Sequence, residues 1–117
     1  MSSSRSTPTI IGIRLRTRRE QLGWSLEHVG VAIGLDESSA RARISRYELG
    51  VHEPPEVTAI QLAEVLEVPL PYLHCADDRM AEAILAVSKL PAADQEHLIA
   101  SVHARIDELS PKSSRKG

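Results

Sequence analysis

Three glycines divide the first half of this chain into short segments that each carry an apolar period of helical type. Gly23 follows the segment 11–22, Gly34 follows the segment 26–33, and Gly50 closes a third segment. Glycine directly after the last periodic residue is a helix stop signal, because it adopts the left-handed backbone conformation without steric penalty. The first half of the chain is therefore restricted to short helices joined by tight turns.

Helical spacing continues downstream, and no segment alternates convincingly with a period of two residues. Leucine, isoleucine, valine and alanine dominate, and only 3% of the residues are aromatic, which favours packed helices over a β-sandwich. We therefore expect an all-α protein. We predict that Ile11, Leu15 and Leu22 form the apolar stripe of the first helix, and that Val29 and Ile33 of the second and Ala40, Ile44 and Tyr47 of the third face the core. A fourth helix, which opens at Pro54 and Pro55 and stops at Pro69, turns Val57, Ile60, Ala63 and Leu66 inward. A short helical turn covers 69–75, a sixth helix carries Met80, Ile84 and Val87, and a seventh presents Leu98, Val102, Ile106 and Leu109, with Ile99 beside them.

The net charge of −2 conceals an uneven distribution along the chain. Residues 1–50 hold eight arginines and five acidic residues, a balance of +3. Residues 51–111 carry a balance of −8, and the tail 112–117 adds +3. An anionic partner is therefore expected to bind the first half of the chain.

Three arginines cluster within six positions of the third predicted helix, at Arg41, Arg43 and Arg46. Winding this helix at 100° per residue turns Ala42 and Ser45 away from the core, with Arg41 and Arg46 on the two sides of that outer face. Small residues let a helix sit deep in a groove, and a guanidinium fork can donate two hydrogen bonds to guanine O6 and N7. The alternative is a solvated basic face, or pairing of the arginines with Glu37 and Glu48.

A glycine also stands inside the second predicted helix, at Gly30. Glycine in a helix interior costs about 1 kcal/mol relative to alanine, which suggests that another backbone passes too close for a larger side chain. A short helix, a tight turn at Gly34 and a second short helix have the form of a helix-turn-helix. A plain helical hairpin would show the same features.

The stretch 11–73 resembles the Xre family, the Cro and phage-repressor type of five-helix DNA-binding domain. The joint spacing of many positions carries this resemblance, and no single position does. The matching landmarks are Ile11-Gly12, Arg14, Leu15, Arg19-Glu20, Gly23, Ser25, Val29-Gly30, Gly34, Ile44-Ser45-Arg46-Tyr47-Glu48, Gly50, Pro54, Leu62-Ala63 and Leu66.

The resemblance implies that the second helix lies across the DNA backbone and that the third enters the major groove. It also implies a structural ion pair between Arg19 and Glu48, which would join the first helix to the third. Family members generally bind near-palindromic operators as dimers.

The chain departs from the family in the length of its third segment. Fifteen residues lie between Gly34 and Gly50, about one helical turn more than is usual in the family. The extra residues fall at 36–39, so either the turn is longer or the recognition helix starts one turn earlier with Asp36 as its cap. The sequence leaves both alternatives open.

The candidate DNA-binding residues lie mostly on the third helix. Arg14 on the first helix is a weaker candidate for phosphate, together with Arg16 and Arg18. Val51 stands where a lysine often contacts phosphate in the family, and the neighbouring His52 is its substitute. The predicted DNA-binding residues are Ser39, Arg41, Ala42, Arg43, Ser45, Arg46, Arg14 and His52, with Arg19 and Glu48 as the structural ion pair.

We expect a disordered tail over 1–9, a helix-turn-helix domain over 10–74, a helical extension over 75–109 and a disordered basic tail over 110–117. The expected function is sequence-specific transcription regulation, with double-stranded DNA as the partner and repression by a dimer as the mode of action. The dimer would form through the seventh helix or through residues 70–73 of the fifth. The alternative is an antitoxin-like or adaptor protein whose acidic C-terminal part binds a protein partner, with DNA binding for autoregulation.

Other function classes have little support. A single cysteine excludes an internal disulfide, and His74-Cys75 followed by Asp77-Asp78 has no recognised metal-ligand spacing. The sequence has no phosphate-binding glycine loop and no arranged nucleophile, so we expect neither an enzyme nor a cofactor. Apolar runs of membrane-spanning length and a signal peptide are also missing, so we expect a cytoplasmic protein.

Overall fold

A computed structural model describes residues 7–110, and within them the chain is helical throughout, with no strand. The helices are α1 (Ile10–Leu22), α2 (Leu26–Ala32), α3 (Glu37–Leu49), α4 (Glu56–Leu66), α5 (Leu70–Leu73), α6 (Asp78–Val87) and α7 (Ala92–Leu109). This confirms the all-α prediction. The chain forms two compact units, divided between Leu85 and Ala86.

The predicted helix ends agree closely with the structure. Gly23 and Gly50 are left-handed, with φ of 71° and 80°, and close α1 and α3. The Ser25 hydroxyl accepts a hydrogen bond from the His28 N–H at 3.0 Å and so caps α2, satisfying one of the free donors of its first turn.

The N-terminal tail is shorter than expected in the described part of the chain. We assigned residues 7–9 to that tail, but the Thr9 hydroxyl accepts from the Gly12 N–H at 3.0 Å and caps α1. The Thr7 carbonyl lies so close to Gly50 that a Cβ there would collide with it. The rest of the predicted tail, 1–6, and residues 111–117 of the C-terminal tail lie outside the described residues.

The first unit is built around one apolar core to which α1 to α5 all contribute. Its largest fully buried side chains are Leu15, Val29, Ile44, Leu62, Leu66 and Leu73. Burial of this kind is the main stabilising term for a domain of this size. These side chains include at least one predicted core-facing residue from each of α1, α2 and α3.

The prediction for α4 was partly wrong. Val57 and Ile60 are exposed, at 67% and 40%, whereas Ala59 and Leu62 are buried. Two stripes of helical spacing overlap on α4. One contains residues 57, 60, 63 and 66, and the other contains residues 59, 62, 63 and 66. The structure buries the second stripe, whose smaller Ala59 lets α4 pack against α1 and α2.

A similar shift occurs in α6, where Ala81 is buried and Met80 is 56% exposed.

The boundary between the units also falls later than the expected one at residue 75. The first turns of α6 belong to the first unit because Ala81 enters its core and because Asp78 is bonded to Arg14 of α1 at 2.9 Å.

The interior glycine of α2 has the role predicted for it. A Cβ at Gly30 would lie 2.5 Å from the Ala40 Cβ and 2.9 Å from the Ala40 carbonyl oxygen. These distances are far below van der Waals contact, and α3 therefore packs directly on the α2 backbone. The small side chains at both positions bring the two helices together.

We predict that Gly30→Ala destabilises the protein by about 1–3 kcal/mol, because the new methyl group forces α2 and α3 apart. Urea unfolding followed by circular dichroism measures the change. The double variant Gly30→Ala, Ala40→Gly is a second check: it should not recover the loss, because the Ala40 Cα and carbonyl oxygen remain 2.8 and 2.9 Å from the new methyl group. A single variant as stable as the parent protein would contradict the close approach.

Candidate nucleic-acid interface

The third helix starts one turn earlier than is usual in the Xre family, which settles the two alternatives left by the sequence. Asp36 occupies the N-cap position, and α3 runs from Glu37 through thirteen residues. The Asp36 side chain makes no capping hydrogen bond, but its carbonyl accepts from the Ser39 and Ala40 N–H groups. The extra residues therefore lengthen the helix rather than the turn.

The turn between α2 and α3 fixes how the outer face of α3 is presented. Gly34 has a φ of 97°, and the following Leu35 N–H donates to the Gly30 carbonyl at 2.9 Å. Ala40 and Ile44 are fully buried beneath α3. With this side of α3 anchored in the core, its opposite side faces outward.

The outward side of α3 carries most of the predicted site. Arg41, Ala42, Arg43 and Arg46 are exposed, and Ser39 and Ser45 are half-buried. His52 is exposed just beyond the end of the helix, and its N–H donates to the Arg46 carbonyl at 3.3 Å. Leu49, at 48% exposure, belongs to the same face and was not among the predicted site residues.

The guanidinium groups of the three α3 arginines have no hydrogen bond or ion pair with another of residues 7–110. The proposed competing partner Glu48 is bonded to Arg19 instead, and Glu37 forms no ion pair with a described residue. The guanidinium groups of Arg41, Arg43 and Arg46 are therefore available to an external anion. This observation removes pairing with Glu37 and Glu48 as the explanation of the cluster; a solvated basic face is the alternative that is left.

The arginines of α1 are in the opposite situation, because all four are bonded within the chain. Arg14 is buried, and its guanidinium donates to the Cys75 carbonyl at 2.8 Å, the Ala76 carbonyl at 3.2 Å and Asp78 at 2.9 Å. The assignment of Arg14 to phosphate contact is therefore wrong. Its guanidinium instead links α1 to the start of α6 by hydrogen bonds.

Arg18 is buried as well, and its Nε donates to the Leu66 carbonyl at 2.9 Å. It thereby satisfies a carbonyl at the end of α4, where the helix has few partners of its own. The sequence contained a signal for both residues. Positions 11, 14, 15, 18 and 22 form one stripe of helical spacing, so Arg14 and Arg18 share the buried face of α1 with its apolar residues.

The ion pair implied by the family resemblance is present between α1 and α3. Arg19 Nε lies 2.6 Å from one Glu48 carboxylate oxygen, and Arg19 Nη2 lies 3.0 Å from the other. The side chains are 13% and 6% exposed. The hydrogen bond to Glu48 raises the pKa of Arg19 above its ordinary value, against the opposing effect of burial. A third bond, to the Trp24 carbonyl at 3.0 Å, holds the turn after α1.

A short second helix packed on the third, a tight turn and an exposed arginine face on the third helix form a helix-turn-helix, an arrangement typical of DNA-binding proteins. The sequence matches the helix-turn-helix family HTH_3 over residues 15–73. The fold is similar to the crystal structure of the transcriptional regulator BswR, with a TM-score of 0.76 and 41% sequence identity over 80% of this chain and 92% of that chain. The comparison with curated proteins gave no match.

The chain therefore belongs to the helix-turn-helix family of the Xre and Cro type, a family of DNA-binding regulators. Within residues 7–110, no three histidine, cysteine or acidic side chains converge as metal ligands would. Among the helices of the same residues, none combines the length and apolar content needed to cross a bilayer.

We predict that Arg19→Ala or Glu48→Ala destabilises the protein by about 3–5 kcal/mol, because each leaves a largely buried charge without its partner. Arg16 and Glu20 supply the matched control on α1. They are joined by a single bond of 3.1 Å and are more than half exposed, so Arg16→Ala should change the stability by less than about 0.5 kcal/mol. Thermal or urea unfolding measures both, and equal effects of Arg16→Ala and Arg19→Ala would refute the structural role.

Proposed function

We propose that this protein is a sequence-specific transcriptional repressor that inserts α3 into the major groove of a near-palindromic operator, which it binds as a dimer. The observation that carries the proposal is the contrast between the two sets of arginines. Those of α1 are bonded within the chain, whereas those of α3 are exposed and lack partners among the described residues. The family match and the likeness to a transcriptional regulator support the same function.

Arg41 and Arg46 are the proposed base-reading residues. They flank the outermost line of α3, where the small Ala42 and Ser45 allow the helix to approach the floor of the groove. A planar guanidinium can donate two parallel hydrogen bonds to guanine O6 and N7, a pattern that no other base presents. The proposed site therefore favours guanines at two positions of each half-site.

Arg43 and His52 are the proposed phosphate contacts. Arg43 lies nearer the core side of α3 than Arg46 does, so its side chain reaches sideways from the groove. His52 follows the C-terminal end of the helix and is exposed. Ser39 completes the proposed interface near the other end of α3.

The acidic start of α3 restricts how the helix can dock. Asp36 and Glu37 are exposed, and they suit the positive end of the helix dipole. A carboxylate beside a phosphate is unfavourable, so these residues disfavour any docking that brings the helix tip against the DNA backbone. They are expected to lower non-specific affinity and thereby to sharpen the choice of sequence.

Repression follows from the size and symmetry of the proposed complex. One helix-turn-helix unit covers a single half-site, and a two-fold symmetric dimer matches two inverted half-sites about one DNA turn apart. A protein lying across a promoter in this way excludes polymerase without a further activity.

We predict that Arg46→Ala lowers the affinity for the preferred operator by about 1–3 kcal/mol and relaxes the choice at one base position per half-site. Fluorescence anisotropy with operators substituted at each position measures both effects. Arg79→Ala is the matched control, since Arg79 is an exposed arginine on α6 outside the proposed interface. Unchanged binding by Arg46→Ala would remove this residue from the site.

Arg43→Ala should act differently, because a phosphate contact carries no sequence information. We predict a similar loss of affinity on specific and scrambled duplexes, and a salt slope that is reduced by about one unit. Titrations at several salt concentrations measure the slope. A loss confined to the specific duplex would instead make Arg43 a base reader.

The experiment that tests the function itself is selection from random duplex DNA with the purified protein. A palindromic consensus, bound far more tightly than its scramble, is the expected result. Weak binding that is equal on both duplexes and disappears with salt would contradict the proposal. It would favour the alternative in which the acidic C-terminal part binds a protein partner.

A further inference from the structure

The last helix, α7, carries an apolar stripe that is exposed along its whole length. Exposure ranges from 37% at Leu98 to 66% at Leu109, and no residue of α7 is buried. At 100° per residue, the stripe covers an arc of about 100°, the width of a face that normally packs against another helix. The members of the stripe are Leu98, Ile99, Val102, Ile106 and Leu109.

From the charges beside this stripe, we infer that α7 pairs in antiparallel orientation with α7 of a second copy of this chain, about a two-fold axis between residues 99 and 100. The inference deepens the proposed function, since it assigns the interface of the proposed dimer. It rests on the arrangement of four charged or titratable side chains along the two edges of the stripe.

Asp94 and Arg105 lie on one edge, and Glu96 and His103 lie on the other. Both edges are therefore acidic near the start of α7, and the first edge carries an arginine eleven residues further on. Parallel and antiparallel pairs of α7 helices therefore bring different charged groups together.

Antiparallel pairing brings each edge against the same edge of the second copy, running in the opposite direction. A two-fold axis between residues 99 and 100 places Arg105 opposite Asp94 of the second copy. The same axis places His103 opposite Glu96 of the second copy. This register therefore pairs opposite charges along one edge and places an imidazole beside the carboxylate of the other. Its apolar centre consists of Ile99 beside the axis and Leu98 facing Val102 of the second copy.

Parallel pairing has the opposite result, because it brings one edge against the other edge in register. Asp94 would then lie near Glu96 of the second copy, so that two carboxylates face each other. Like charges across a helix pair are unfavourable and are a common means of selecting orientation. The charge pattern therefore favours the antiparallel arrangement.

The ion pair that Arg105 forms within its own helix does not prevent its pairing with Asp94 of a second copy. Arg105 is bonded to Glu108 at 3.0 Å, but both side chains are about two-thirds exposed. An exposed pair of this kind contributes little to stability. Arg105 can therefore turn to the second copy without a substantial loss.

The alternative interface through α5 offers much less apolar surface. Tyr72 and Leu73 are 3% and 0% exposed because they complete the core of the first unit. Only Leu70 of the three is half-buried. Tyr72 and Leu73 could contact a second copy only by leaving the core of the first unit.

The first test is the oligomeric state of the full chain, measured by sedimentation equilibrium for the parent protein and two variants. We expect a dimer that Val102→Glu weakens at least tenfold, because it places a charge in the centre of the stripe. Val57→Glu is the matched control, since Val57 is an equally apolar and exposed residue on α4, and it should remain dimeric. A monomeric parent protein, or a Val102→Glu variant that dimerises like the parent, would overturn the inference.

The second test addresses the register. Asp94→Arg and Arg105→Asp should each weaken the dimer severalfold, and the double variant should recover most of the loss because the charges are exchanged. Circular dichroism of each variant establishes that α7 is still helical. Additive losses in the double variant would refute the pairing of these two residues.

The third test addresses orientation by disulfide formation in a Cys75→Ser background. Ile99→Cys should cross-link two copies under mild oxidation, because residue 99 lies beside the axis. Leu109→Cys should not, since antiparallel pairing separates the two copies of residue 109 by about 28 Å at a rise of about 1.5 Å per residue. Efficient cross-linking through residue 109 would indicate a parallel pair and would overturn the inference.

The inference and the proposed function fail in distinguishable ways. A protein that selects a DNA sequence but is monomeric, or dimerises independently of Val102, would retain the proposed reading residues and lose the α7 interface. A protein that dimerises through α7 but shows no sequence preference would retain the interface and lose the proposed function.

Discussion

The buried ion pair between Arg19 and Glu48 holds the two helices that decide how the protein presents its binding face. Glu48 is the next-to-last residue of α3, and its two carboxylate oxygens are bonded to one guanidinium of α1. A planar, bidentate contact fixes direction as well as distance. The close approach of α2 and α3 at Gly30 then fixes the other side of the recognition helix. Together the two contacts leave only one face of α3 open.

The same residue type serves two purposes in the first unit, and burial separates them. On α1, arginine side chains act as cross-links to backbone carbonyls and carboxylates, as Arg14 and Arg18 show. The long aliphatic part of each side chain covers apolar surface while the guanidinium finds its partners. On α3, the guanidinium groups turned away from the core have no partner among residues 7–110 and are available to an external anion. A count of basic residues by itself would not distinguish the two sets.

An acidic chain that binds DNA must concentrate its positive charge. The net charge of −2 gives little general attraction to a polyanion, so the proposed binding depends on the few guanidinium groups of α3. The acidic residues at the start of that helix and along the second half of the chain oppose non-specific contact. In the proposed dimer, opposite charges along α7 would also specify how two copies meet.

Much of this protein follows from its sequence. The positions of Gly23, Gly34 and Gly50 determined where α1, α2 and α3 end, because these sites need a left-handed backbone, and Gly30 indicated the close approach to α3. Only the tertiary structure decided which of two overlapping stripes of α4 is buried, since both have helical spacing and the choice depends on how closely its neighbours pack. The tertiary structure also decided that the residues 36–39 lengthen α3, because the local sequence permits a turn or a helix. It likewise showed that Arg14 is buried and not a phosphate contact, since its partners lie more than sixty residues away in the chain and no local pattern brings them together.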